Sequence, residues 1–188
     1  MTMKNKRVIW IICLIILAFI IALYFDSTII KGVSYLKSSF LDDVLILLTF
    51  TSAEIIIFFL LTILFLWKDS KRKWILPLWF TLLLSSIVSF FLKVSIQRLR
   101  PFQQGLIEIS PFLIKSSYLI WDFSFPSTHT ILAFAAIPFL SKEFPKLKYA
   151  WVTLACLIGF SRLYFGFHFL SDVIAGAAIG YLLGALII

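Results

Sequence analysis

The chain has 188 residues, 62% of them hydrophobic, and its 17 Lys and Arg outweigh 9 Asp and Glu to give a net charge of +8. A globule of this size has too little interior to hide so much apolar surface, and the mean hydropathy of +1.06 points the same way. An ordinary soluble domain is excluded, and the chain reads as an integral membrane protein.

In chain order, the first predicted span covers residues 8–25. The leading MTMKNKR resembles a signal sequence, but no small-residue cleavage site follows, so this span is expected to be an uncleaved helix. Next, Ile29, Ile30, Val33, Leu36, Phe40 and Leu41 recur at helical spacing among Lys31, Ser34, Lys37 and Ser38, which predicts a short helix lying in the membrane interface. The second span covers 44–67 and holds Glu54, to which no role is assigned. The third, fourth, fifth and sixth cover 74–96, 128–141, 150–165 and 170–188. Cys13 and Cys156 fall inside spans with no ligand or redox spacing and read as packing residues.

The positive charge follows this pattern and does not imply a nucleic-acid partner. Lys4, Lys6 and Arg7, then Lys68, Lys71, Arg72 and Lys73, then Lys142, Lys146 and Lys148 flank the apolar runs, and these tracts hold 10 of the 17 cations. Positive loops mark the cytoplasmic side, so both termini are expected inside and the other three loops outside. The expected fold is an all-α, six-helix polytopic membrane protein. Without repeats or linkers, residues 1–188 read as one domain in the cytoplasmic membrane. In the last span Gly176, Gly180 and Gly184 stand four apart, a small-residue ridge that lets another helix come close, within the chain or across a homodimer.

Three polar stretches fall at the outer ends of spans three to six: KVSIQRLRP at 93–101, FPSTHT at 125–130 and SRLYFGFHFLSD at 161–172. Ionisable groups in so apolar a setting are costly and call for a function. His168 and Asp172 are four apart, so on one helix face the carboxylate would hold one ring nitrogen and leave the other as a lone pair for a nucleophile or base. Ser127 is a natural N-cap for the fourth span, whose first-turn N–H groups would bind an anion next to His129. Lys93 and Arg100 are seven apart, so a continuing helix would put both on one side, with Pro101 closing it; Arg98 falls on another face and reads as a surface charge. Arg162 ends span five, and Gly166 offers a turn toward His168.

Three cations, a helix N-terminus and two histidines describe a phosphate site. Taken alone, Lys93 and Arg162 would be headgroup-snorkelling cations and Asp172 a partner for Arg162. A zinc site from His129, His168 and Asp172 is disfavoured by the cations around it, so no metal or other cofactor is expected.

The pattern K-x6-R-P from Lys93 to Arg100 and Pro101, then Pro126-Ser127-Thr128-His129, then Ser161-Arg162 through His168 to Asp172, resembles the three-part signature of the type 2 phosphatidic acid phosphatase superfamily. The resemblance covers roughly the C-terminal half, and its membrane branch implies an outward-facing site. One position departs: Thr128 stands where the family usually has glycine, which matters if a positive φ is needed there.

The resemblance implies that His168 attacks phosphorus, Asp172 fixes its tautomer, and His129 protonates the leaving oxygen and then activates water. Lys93, Arg100, Ser127, Thr128 and Arg162 would hold the phosphoryl oxygens. A bell-shaped pH profile is expected, from a neutral His168 and a protonated His129. Spans four and five, about 14 and 16 residues or ~21 and ~24 Å, fall short of a ~30 Å core, so the site would lie at headgroup depth. That suits a membrane lipid phosphate or diphosphate: an isoprenoid carrier such as undecaprenyl diphosphate, phosphatidylglycerol phosphate or phosphatidate. Phe112, Leu113, Ile114, Tyr118, Leu119 and Trp121, in the loop at 102–125, would form an amphipathic lid. A lipid phosphotransferase with the same site, or a non-catalytic lipid transporter or scaffold, are the competing readings.

Overall fold

A computed structural model of the chain describes residues 3–67, 69–108 and 123–188. The expected lid residues lie outside the described residues, as does the side chain of Glu54. Seven α-helices occur among the described residues: α1 (Met3–Ser34), α2 (Ser39–Thr51), α3 (Glu54–Leu66), α4 (Ile75–Ile96), α5 (Thr128–Glu143), α6 (Lys148–Tyr164) and α7 (Leu170–Ile187). Short 3-10 turns at Asp69–Trp74 and Pro145–Leu147 lead into α4 and α6, and no strand occurs among the described residues.

By length and apolarity, three helices among the described residues can cross a bilayer: α1, the segment ending in α4, and α7. The bent pair α2 and α3 makes a fourth if taken as one span. Helices α5 and α6, of 16 and 17 residues, are slightly longer than the sequence suggested but still short of the ~20 residues that a span needs.

Helices α5 and α7 form the centre of the bundle, and the glycine ridge explains how closely they pack. A Cβ added at Gly176 would come 2.9 Å from the carbonyl oxygen of Ser127, and at Gly180 and Gly184 it would collide with the carbonyls of Ile131 and Ala135. In lipid, helix association depends on such close van der Waals contact, which any side chain at these positions would prevent. The ridge is therefore used within one chain, against α5.

Other expectations are corrected. The second predicted span is two helices meeting at 74°. Leading into the break, the hydroxyl of Thr51 donates to the carbonyls of Leu47 and Leu48, and that of Ser52 to Thr49, the back-bonding that bends helices. The interfacial helix expected after span one is not separate: α1 continues to Ser34 with Ile30 buried, and Phe40 and Leu41 open α2. Tyr164 ties this corner down, accepting from the Ser38 N–H and donating to Asp42. Cys13 and Cys156 are both exposed on the helix surfaces and do not pack inside the chain.

One end of the bundle is basic and aromatic. There Trp74 Nε1 donates to Glu143, Lys71 lies 3.2 Å from the Phe144 ring centre, and Lys142 lies over Trp74. The three polar motifs gather at the other end.

Candidate active site

Helix α4 does not run on to Arg100. It ends at Ile96, and Gln97 takes the left-handed conformation (φ 51°) of a helix C-cap. The loop beyond carries Arg100 inward instead, where it is buried and its Nη1 donates to the Phe167 carbonyl at 3.0 Å. Lys93, on the last turn of α4, donates to the Phe123 carbonyl. Arg162, on the last turn of α6, is buried with its guanidinium 4.3 Å from the Phe167 ring centre. Gly166 (φ 72°) makes the expected turn, letting the N–H groups of Phe167 and His168 bond back to the Arg162 carbonyl.

His129 lies in the first turn of α5 and is partly exposed. The charges of Arg162, Arg100 and Lys93, together with His168, all act on it, so two histidines and three cations from α4, α5, α6 and the connections after α4 and α6 converge. Ser127 occupies the N-cap position, but its side chain makes no cap bond; its hydroxyl accepts from Thr130 instead, while its N–H donates to the Asp172 carbonyl. Thr128 opens α5 without a positive φ, and its hydroxyl meets that of Ser89 at 2.7 Å. Threonine therefore fits an ordinary helical conformation here, and the first-turn N–H groups keep their direction.

His168 lies in the connection between α6 and α7, only 2% exposed. Its Nδ1 is 2.7 Å from the Ser124 carbonyl oxygen, whereas the nearest Asp172 oxygen is 3.7 Å away. A carbonyl can only accept, so Nδ1 carries the proton and Nε2 presents its lone pair. Burial first, and then the positive charges of Arg100, Lys93 and Arg162, hold the imidazole well below its ordinary pKa. It is therefore neutral at physiological pH.

The expectation that Asp172 grips the ring directly is corrected. Its Oδ2 accepts from the Ser124 hydroxyl and from the Phe169 N–H at 2.8 Å, and its Oδ1 accepts from Arg98 at 2.7 Å. Arg98 is not a surface charge: it bridges Asp172 and Asp26, each at 2.7 Å. Asp26, Arg98 and Ser124 were thus missed by sequence reasoning. The available signal was a carboxylate just beyond an apolar run, which needs a cation when buried.

Below His129, an apolar groove of about 270 Å³ lies between α2, α3, α5 and α6, lined in part by Leu61, Ala133, Ala136, Leu140 and Trp151. Residues 129, 133, 136 and 140 follow helical spacing, so His129 heads the same face of α5 that lines the groove. Among the described residues, no group of three or more His, Cys, Asp or Glu is placed to hold a metal ion.

A family model described as the PAP2 superfamily matches residues 74–188, more than half of the chain and all three motifs. The chain belongs to the PAP2 superfamily. Among curated relatives it is similar to a lipid A 1-phosphatase of Rhizobium johnstonii, 34% identical over 106 residues that make up 55% of this chain and 42% of that protein. It is also similar to phosphatidylglycerophosphatase B of Bacillus subtilis, 37% identical over 103 residues, 49% of this chain and 45% of the relative. The match thus spans under half the length of either relative. Among solved structures, a transmembrane PAP2-type phosphatidylglycerolphosphate phosphatase from Bacillus subtilis superposes with a TM-score of 0.71 at 27% identity, covering 92% of both chains. With its apolar helices, this makes the chain a multi-pass membrane protein of the PAP2 type.

Proposed function

We propose that this PAP2 chain is a metal-independent lipid phosphate or diphosphate phosphatase that works through a phosphohistidine on His168. The observation that carries the reading is the neutral, buried His168, with Nδ1 engaged by a carbonyl and Nε2 available, among Lys93, Arg100 and Arg162. The His168 Nε2 lone pair attacks phosphorus, forming a P–N bond as the bond to the lipid oxygen breaks, and His129 gives its proton to that oxygen. His129 then takes a proton from water, whose oxygen attacks phosphorus; the P–N bond breaks, inorganic phosphate leaves and His168 returns neutral. Lys93, Arg100, Arg162 and the N–H groups around Ser127 and Thr128 meet the phosphoryl oxygens, and bound phosphate favours the protonated form of His129.

The substrate reading rests on the groove. A hydrocarbon chain in it would bring the attached phosphate up the α5 face to His129. The relatives named for lipid A and phosphatidylglycerophosphate support phosphatidylglycerol phosphate and other lipid phosphates as the first substrates to try. In the same reading, residues 1–188 form one six-span domain of the cytoplasmic membrane, with the basic end inside and the site outside.

Rapid acid-free quenching with lipid labelled in its phosphate tests the intermediate. Label should enter the wild-type protein in a base-stable, acid-labile form and be absent from His168→Ala. Labelling that survives His168→Ala would overturn the assignment.

A further inference from the structure

Asp26 is a carboxylate near the end of a long apolar helix, only 3% exposed, and it lies outside the stretch that matches the PAP2 model. Its oxygens accept from the Ser171 N–H at 3.0 Å, from the Ser171 hydroxyl and from Arg98 Nη2. The other arm of Arg98 reaches Asp172 and the Ser171 hydroxyl, each at 2.7 Å, while its guanidinium lies 4.1 Å from the Phe169 ring centre. One planar fork thus spans two carboxylates from the first and last helices, with a fixed donor geometry that a lysine's single ammonium lacks.

The chain of contacts continues to the ring of His168. Asp172 accepts from the Ser124 hydroxyl, the Ser124 N–H donates to the Arg98 carbonyl at 2.7 Å, and the Ser124 carbonyl meets His168 Nδ1. Ser124 is therefore fixed at its N–H, hydroxyl and carbonyl, two of these links leading back to Arg98 directly or through Asp172.

We infer that Asp26 and Arg98 are positioning residues which, by clamping Asp172 and Ser124, hold His168 as the Nδ1–H tautomer and aim its Nε2. The inference rests on the phosphatase reading for its consequence in rate, but not for its consequence in tautomer. A mere staple of α1 onto the bundle would affect stability alone.

The chain has only two histidines, so nitrogen NMR of the full-length, histidine-labelled protein in detergent can separate their tautomers. The wild type should show His168 protonated at Nδ1. Folded Asp26→Asn and Arg98→Lys should each give mixed tautomers, with kcat on phosphatidylglycerol phosphate reduced by about ten- to a hundredfold and KM within about twofold. If Asp26→Asn fails to fold, Ser124→Ala, which cuts the hydroxyl link but no ion pair, is read the same way. Wild-type tautomer and kcat in these variants would overturn the clamp. An inactive wild type with an ordered Nδ1–H tautomer, lost in the variants, would uphold the clamp and remove the phosphatase reading.

Discussion

Ser124 grips His168 by its backbone, its carbonyl oxygen 2.7 Å from Nδ1. Because that acceptor is main chain, no side-chain replacement at position 124 removes it outright; what changes is how firmly it is held. The carboxylate of Asp172, 3.7 Å from the ring, acts chiefly on Ser124 and Arg98.

Asp172→Asn should therefore cost stability as well as rate. It replaces an anion that is 0% exposed and paired with Arg98. Breaking a buried pair by removing one partner costs about 3 kcal/mol or more. Thermal denaturation in detergent should show a lowered midpoint alongside reduced kcat; an unchanged midpoint would mean that the existing Arg98–Asp26 pair suffices.

The acid limb of the kcat/KM profile should lie below the ordinary histidine value of 6.5, because the pKa of His168 is lowered in the fold. The sign follows from the chemistry: only neutral His168 attacks, so activity falls as pH drops through its lowered pKa. Removing Arg100, the foremost charge lowering it, should move the limb to higher pH in Arg100→Gln, although burial still holds it down. A limb that moves to lower pH, or does not move, would count against this electrostatic account.

Two glycines should respond in opposite ways. Gly180→Ala sets a Cβ against the Ile131 carbonyl and should open the α5–α7 seam, with loss of folded protein. Gly32→Ala, with nothing within 4 Å, should be neutral or stabilising by up to about 1 kcal/mol. Comparing melting midpoints checks both, and a tolerated Gly180→Ala would contradict the close packing.

Membrane class and the three motifs were legible in the sequence because composition and fixed spacing carry them. Thr51 and Ser52 concealed the α2–α3 break, since hydropathy registers a run of leucines and not hydroxyls bonding back to the helix. The place of Arg98 was lost by extending α4 periodicity past Ile96, whereas the chain turns left-handed at Gln97. Asp26 was lost because a charge at the end of an apolar run reads as the start of a loop, yet α1 continues past it with the charge neutralised by Arg98. The glycine ridge was visible as a close-packing surface, but only the fold could say that its partner is α5.

The most direct measurement is inorganic phosphate release by the purified full chain in detergent with EDTA present, from phosphatidylglycerol phosphate, phosphatidate and undecaprenyl diphosphate, beside His168→Ala. The account predicts release from at least one lipid, unaffected by the chelator and abolished by the substitution. Release that persists in folded His168→Ala, or that requires added metal, would contradict it.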